Sequence, residues 1–194
     1  MAASAAAQGE RFQVDPEATQ VTVNVGRSGL LAFAGHTHEI AAPAIAGEIL
    51  FDRAEIARSS VTLEFDAAAL RVTGQGEPAE DVPEVQQVMV SERVLDVQQY
   101  PTIRFQSDRV AAGDQAGDAL DLRVAGQLTL HGVTRPVTLP VEVRVTSDGL
   151  TAAGTVRIRQ SDFGIRPVTA GAGTVRVRDE VEIVFRIVAR LLPG

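Results

Sequence analysis

The sequence contains no cysteine, no lysine and no tryptophan, and each absence excludes a class of chemistry. Without cysteine there are no disulfides, no thiolate catalysis, no zinc–cysteine sites and no iron–sulfur clusters. Without lysine there is no Schiff-base chemistry, and arginine supplies all 18 cationic side chains. Aromatic residues make up only 4% of the chain, so we predict a core of valine, leucine, isoleucine and alanine.

Length and charge narrow the class of protein. The 194 residues predict one domain, and 45% hydrophobic with 22% charged residues are typical of a soluble globular chain. The net charge of −7 provides no basic surface for nucleic acid. No stretch approaches the roughly 18 apolar residues of a membrane-spanning helix. We divide the chain into an alanine-rich start at residues 1–11, either disordered or the remainder of an export segment, and a domain at residues 12–191.

Alternation of hydrophobic and polar residues dominates from Val21 onwards. In the longest ladder, Leu120 to Leu130, every second residue is apolar or glycine, and Val137 to Val145 repeats the pattern. Such alternation is typical of strands with one buried and one wetted face. Short turns such as Ser147-Asp148-Gly149 separate these runs. They predict antiparallel neighbours, since parallel crossovers need a dozen or more residues.

The alternation stops over residues 74–101, where the sequence becomes acidic and is interrupted by proline. Asp81 and Glu84 have the spacing of a capping box, and hydrophobic residues follow at helical intervals. We expect one or two short helices near residues 82–98 in an otherwise all-β domain. The acidic run from Glu77 to Glu84 is interpreted as an exposed loop and helix cap rather than as catalytic acids.

About eight antiparallel strands must protect their edges. Closure into a barrel removes the edges, and a two-sheet sandwich is the alternative. A barrel of this size is either filled by side chains or wide enough for one small ligand. Apolar residues dominate the inward phase, and Gly126, Ala152 and Gly154 are expected to leave further space. We predict an apolar cavity for an apolar ligand, unless side chains of the helical segment fill it.

Three ordered motifs resemble the YceI-like family. They are Leu128 to Thr134 (LTLHGVT), Val94 to Phe105, and Ser161 to Ile165 (SDFGI). The stretches Phe12 to Pro16 and Gly47 to Asp52 fit the same pattern, so the resemblance covers about residues 12–190. It implies a lipocalin-like antiparallel barrel and export to the bacterial periplasm. It also implies that a long polyisoprenoid or isoprenoid-quinone chain is bound in the lumen.

We expect the ligand to contact residues on the inner face and at the end of the barrel. These are Phe33, Ile103, Phe105, Leu128, Leu130, His131, Phe163 and Ile165. Phe163 and Ile165 are equally interpreted as a plug at the end of the barrel. For His131, which ends the long ladder before Gly132, a structural hydrogen bond to a loop carbonyl is the alternative.

His36 and His38 form the clearest polar pair. Side chains two residues apart on a strand project from one face, so both are candidate ligands of one metal ion, although no third ligand has metal-site spacing. The same pair at the barrel mouth suits a ligand head group, and a plain polar strand end is the third alternative. The sequence leaves open whether the imidazoles face lumen or solvent. Asp162 and Arg166 are further head-group candidates, with surface ion pairing as their alternative.

The expected function is non-catalytic binding and carriage of a long apolar lipid, with no required cofactor. A metal-binding barrel and a lipocalin-like enzyme acting on a lipid are the alternatives. Ser161, Asp162 and His131 are residue types of a nucleophilic triad, but no nucleophile elbow accompanies them. We expect no nucleic-acid partner, and a homodimer is compatible with this class of protein.

Overall fold

Strands form where the sequence alternates, and proline, glycine or acidic clusters separate them. The computed structural model describes residues 9–28, 38–75, 77–116, 119–170 and 175–193. Its strands are β1 (Glu10–Val14), β2 (Gln20–Ser28), β3 (His38–Ala41), β4 (Ala44–Phe51), β5 (Ser60–Asp66), β6 (Arg71–Val72), β7 (Thr102–Ala116), β8 (Ala119–Leu130), β9 (Val133–Val145), β10 (Gly149–Arg159), β11 (Thr169–Ala170) and β12 (Val175–Leu191). The α-helix α1 spans Val82–Val90.

The strands close into one antiparallel barrel. The sheet runs β1-β4-β5-β7-β8-β9-β10-β12, and β12 pairs back with β1, for example through Phe12 and Leu191. Strands β2, β3 and β6 extend the walls begun by β1, β4 and β5, since β2 pairs with β12, β3 with β2 and β6 with β3. The result is a closed barrel of eight walls, which confirms the predicted fold class and excludes the sandwich.

The register of the ladder places one face of each long strand inside. Leu63, Phe105 and Leu128 are cross-strand neighbours on β5, β7 and β8, so they share the interior face. A bulge after Ser107 inserts one extra residue into β7. The inward phase changes there from odd to even residues, which is why Val110 is also buried. Apolar residues therefore face the interior on both sides of the bulge, although the phase of the alternation shifts by one residue.

The two ends of the barrel differ. One end carries α1 and a 3₁₀ turn at Gln160–Phe163, and we name it the helix end. Met89, Leu95, Phe163 and Ile165 are buried there within the core cluster. The other end carries the β7–β8 and β9–β10 connections, and we name it the far end. Apolar side chains thus seal the helix end.

Helix α1 lies within the predicted region. It begins after Asp81 and has Pro83 in its first turn, where a missing N–H costs nothing. The predicted capping box is wrong, because Asp81 has helical dihedrals and its side chain makes no capping hydrogen bond. A second helix does not follow, and residues 91–99 form successive turns instead. The prediction of one or two short helices near residues 82–98 is therefore confirmed, with one helix.

Gln86 fastens α1 to the barrel wall. Its Oε1 accepts a hydrogen bond from the Val72 N–H at 2.8 Å, and its Nε2 donates to the Leu70 carbonyl at 3.0 Å. The side-chain amide therefore occupies the position that the backbone of a neighbouring strand would take. An edge that would otherwise present bare backbone groups is covered in this way.

Strands β9 and β10 pair over only part of their length. Their register runs from Leu150–Val145 to Ala153–Glu142 and then stops, whereas β9 pairs with β8 as far as Val133. Pro140 and Pro136 lie beyond Glu142 in β9, and proline has no N–H to donate to a ladder. Sequence chemistry thus explains where this seam ends.

The predicted turn at Ser147-Asp148-Gly149 is confirmed. The Thr146 N–H donates to the Gly149 carbonyl at 2.8 Å, and the Thr146 hydroxyl donates to Asp148 Oδ1 at 2.8 Å.

Along the described ranges, no helix has the length and apolar character needed to cross a bilayer.

Candidate ligand-binding site

The barrel contains an apolar cavity between its middle and its far end. The empty space amounts to about 570 Å³ including the part open to solvent, and about 70 Å³ of it admits the centre of a water-sized sphere. Its exposed wall is entirely apolar. The wall residues include Phe51, Leu63, Phe105, Val124, Leu139, Val141, Ala152, Phe185 and Ile187. The cavity predicted from the inward phase is therefore present.

The size and lining of the cavity restrict what it can hold. A single water needs roughly 10–15 Å³ on the narrower of the two measures, so the void of about 70 Å³ is larger than a packing defect. Its wall offers no polar surface to satisfy water. An apolar void of this kind suits an apolar ligand.

Gly126 and Gly154 lie against two aromatic residues of the cavity wall, Phe105 and Phe185, but do not enlarge the cavity as the sequence predicts. A Cβ at Gly126 would lie 2.8 Å from Cζ of Phe105, and one at Gly154 would lie 2.7 Å from Cζ of Phe185. The phenyl rings thus occupy the room that the glycines leave, and the expectation of additional empty space at these two positions is wrong. Ala152, the third small residue, does line the cavity.

The predicted lining residues fall into two groups. Phe105 lines the cavity. Ile103, Leu128 and Leu130 lie nearer the helix end and pack, partly exposed, against the core cluster. The prediction for Phe33 lies outside the described residues. These three residues are therefore part of the core packing near the helix end and do not line the cavity.

His131 forms part of the turn that joins β8 to β9. His131 and Gly132 have φ values of 51° and 70°, the two left-handed positions of a tight hairpin turn. The imidazole packs edge-on against Tyr100 with 4.7 Å between ring centroids. Its Nδ1 lies 3.2 Å from the Phe163 carbonyl oxygen, to which the Nδ1–H tautomer donates. The structure thus shows the loop-carbonyl hydrogen bond that we gave as the alternative.

The Ser161 to Ile165 motif forms the plug of the helix end. Phe163 is 1% exposed and Ile165 is 3% exposed. Asp179 holds the motif in place, accepting hydrogen bonds from the Ser161 hydroxyl at 2.6 Å and the Ser161 N–H at 2.8 Å. The hydroxyl hydrogen bond holds the pKa of the Asp179 carboxyl below its usual value, although desolvation opposes it.

The remaining residues of this motif region lie on the surface. Asp162 and Arg166 are both exposed, and the Asp162 carbonyl accepts a hydrogen bond from Arg135 Nε at 2.9 Å. The Ser161 hydroxyl is directed to Asp179 and His131 Nδ1 to a backbone carbonyl. These contacts give Ser161 and His131 roles in holding the turns together, and Asp162 and Arg166 stay head-group predictions.

His38 and Glu77 meet inside the helix end. His38 is 7% exposed and shares the inward phase of β3 with Ile40, so its imidazole faces the interior rather than solvent. Its Nδ1 lies 2.7 Å from Glu77 Oε1, and the Glu77 side chain is 0% exposed. The interpretation of Glu77 as an exposed loop residue is therefore wrong. Nothing in the sequence distinguishes it from its acidic neighbours, because its burial depends on contact with His38, which is distant in sequence.

The metal hypothesis stays a prediction. His36 lies outside the described residues, and Glu39 projects from the opposite face, where its Oε1 accepts a hydrogen bond from the Thr73 hydroxyl at 3.0 Å. Within the described ranges no three histidine, aspartate or glutamate side chains are grouped as a metal site would require.

Sequence comparison relates the chain to bacterial proteins of the UPF0312 group. A UPF0312 protein of Vibrio cholerae serotype O1 is 33% identical over 132 residues, which cover 65% of this chain and 64% of the relative. One from Vibrio parahaemolyticus is 29% identical over 190 residues, covering 94% of this chain and 91% of the relative. The chain thus spans slightly less than two thirds of the Vibrio cholerae relative.

Solved structures show the same barrel at low sequence identity. Burkholderia cenocepacia BcnA has a TM-score of 0.67 at 24% identity, covering 90% of this chain and 98% of that protein. A polyisoprenoid binding domain from Saccharophagus degradans, described as implicated in plant cell wall breakdown, has a TM-score of 0.65 at 12% identity, covering 93% and 98%. The profile of the YceI-like domain matches residues 12–189. The chain therefore belongs to the YceI-like family.

Proposed function

We propose that this protein is a non-catalytic carrier that holds one long apolar chain, an isoprenoid, in the barrel lumen. The observation that carries the proposal is the apolar-walled void in the middle and far half of the barrel. The similarity to a structure described as a polyisoprenoid binding domain supports the choice of isoprenoid. Transfer of apolar surface from water to such a lumen contributes roughly 25 cal/mol per Å².

The mechanism is burial without covalent chemistry. Aliphatic walls exclude water from the chain. The ligand enters from the far end, because apolar side chains plug the helix end. The residues with catalytic potential, Ser161 and His131, are engaged in contacts that stabilise turns. Localisation in the periplasm, homodimerisation and independence from a cofactor stay predictions from the sequence.

The test is native mass spectrometry of protein mixed with a long-chain isoprenoid, with two variants on β10. Ala152 lines the cavity, whereas Ala153 pairs with Glu142 and Arg186 on the outer face. Ala152→Leu should fill the void and abolish the lipid-bound mass, and Ala153→Leu should retain it. Binding that survives Ala152→Leu unchanged, or no binding by the unmodified protein, would contradict the proposal.

A further inference from the structure

The Glu77 carboxylate is buried beside His38 at the helix end of the barrel, where Met89 and Phe163 are also buried. Its side chain is 0% exposed, and in the described part of the chain neither oxygen accepts a hydrogen bond of good geometry. Oε1 is 2.7 Å from His38 Nδ1, but the relative orientation of the two groups is not that of a hydrogen bond. With respect to the described residues, Glu77 therefore keeps unused acceptor capacity in a buried position.

Such an arrangement is costly for the protein alone. A buried carboxylate needs several donors to replace its lost hydration, and leaving it without them is strongly destabilising. A residue whose only task was to fasten the loop would be expected to have its oxygens saturated by backbone or side-chain donors. The unused acceptor capacity instead suits a donor that arrives with a ligand.

The register connects this acceptor to the cavity. His38, Val25 and Val181 form one cross-strand row, and Phe185, which lines the cavity, lies four residues further along β12. At about 3.3 Å per residue the separation is about 13 Å. The row between them contains Val23 and Ile183, both inward and only partly buried. A ligand whose head contacts Glu77 therefore needs an apolar chain at least about 13 Å long to reach the cavity.

We propose that Glu77, positioned by His38, accepts a hydrogen bond from the hydroxyl of an uncharged head group. This inference rests on the proposed carrier function and specifies its ligand as a hydroxyl-terminated isoprenoid. The carboxylate repels a phosphate or diphosphate group, because two like charges in a dry interior disfavour each other strongly. The chain's net charge of −7 also disfavours a negatively charged head group. A quinone without a hydroxyl has no donor to offer.

The experiment compares three probes: geranylgeraniol, geranylgeranyl monophosphate and squalene, which has no head group. Binding is measured by competition and native mass spectrometry for the unmodified protein, Glu77→Gln, Glu77→Leu and Glu80→Gln. Glu80 is the matched control, because it is an exposed acid in the same segment. Both Glu77 variants are included, since leucine removes the acceptor and glutamine removes only its charge.

We expect Glu77→Leu to weaken geranylgeraniol binding about ten-fold or more, the usual effect of losing a hydrogen bond to a charged group. Glu77→Gln should weaken it less, both variants should improve binding of the monophosphate, and squalene should be unaffected. Glu80→Gln should behave as the unmodified protein. If squalene binds but geranylgeraniol is insensitive to both Glu77 variants, the head-group inference is wrong and the carrier function stands. If neither squalene nor geranylgeraniol binds the unmodified protein, the carrier function is wrong as well.

Discussion

At the scale of the residue, Gly132 combines a backbone requirement with a packing requirement. Its φ of 70° is left-handed, and a Cβ would lie 2.4 Å from Cε1 of Tyr100. Gly164 has a similar φ of 76°, but its nearest neighbour is 3.8 Å from the Cβ position. Substitutions at the two glycines therefore separate the cost of backbone strain, which both share, from the cost of a steric clash, which only Gly132 has.

We predict that Gly132→Ala destabilises the fold by about 3 kcal/mol and Gly164→Ala by about 1 kcal/mol. Both substitutions add the cost of a left-handed alanine, and only the first forces a methyl group into the Tyr100 ring. Urea unfolding of the two variants measures the difference. Equal losses would show that the Tyr100 ring moves aside without cost.

Asp179 gives a prediction about pH. The hydrogen bond from the Ser161 hydroxyl lowers the pKa of Asp179 from the ordinary value of 3.8, with further lowering from the Ser161 N–H and Arg159 and an opposing effect of desolvation. A group whose pKa is lower in the folded than in the unfolded state stabilises the fold above the unfolded value. That stabilisation disappears as the pH falls through the folded value.

Asp179→Asn should therefore lower the Tm by about 2–4 °C at pH 7, corresponding to roughly 1 kcal/mol. The difference from the unmodified protein should shrink as the pH falls below 3.8. Thermal unfolding monitored by circular dichroism between pH 7 and pH 2 tests this. Ser161→Ala removes the hydroxyl that donates to Asp179 and should reproduce most of the decrease in Tm. A difference in Tm that does not change with pH would contradict the stabilising role of the Asp179 carboxylate.

The local role of a residue is predictable where its neighbours in sequence determine it. The turn after His131 follows from the glycine that interrupts an alternating run, and the loop-carbonyl bond follows from the polar end of a strand. Burial of Glu77 and filling of the space at Gly126 are not predictable in this way. Both depend on side chains brought close by the closed barrel, His38 for the first and Phe105 for the second.

At the scale of the element, alternation predicts the strands but not their interruptions. The walls β1–β2, β3–β4 and β5–β6 are each broken once, and the β9–β10 pairing stops before Pro140. Periodicity reports which face of a strand is buried, whereas a break depends on which strand lies alongside. The helix was predictable because its hydrophobic spacing differs in period from the strands around it.

The Gln86 side-chain amide attaches α1 to β6 through two hydrogen bonds. We predict that Gln86→Ala lowers the free energy of unfolding by about 1–2 kcal/mol, because it removes the acceptor of the Val72 N–H and one of the two donors to the Leu70 carbonyl, which keeps its hydrogen bond from Arg71. Gln87→Ala is the matched control, since it makes the same change in helix propensity at an exposed position. Urea midpoints measure both, and equal shifts would refute the role of Gln86.

At the scale of the whole molecule, an unfilled lumen has two opposite consequences. An empty cavity forfeits the contacts that filling atoms would make, so the unliganded barrel is less stable than a filled one. The same space permits a ligand to stabilise the folded state by mass action, by about 2.7 kcal/mol at a ligand concentration 100 times the Kd. Stability of the free protein and capacity for a ligand therefore oppose each other.

Ala152→Leu should reveal this opposition within one variant. Filling a void of about 70 Å³ should stabilise the unliganded protein by about 1–2 kcal/mol. The variant should at the same time lose the rise in Tm that squalene produces in the unmodified protein, because the site no longer admits the chain. Ala153→Leu, on the outer face, should change neither quantity. Thermal unfolding with and without squalene measures both effects, and a variant that is more stable yet still stabilised by squalene would place the ligand elsewhere than in the lumen.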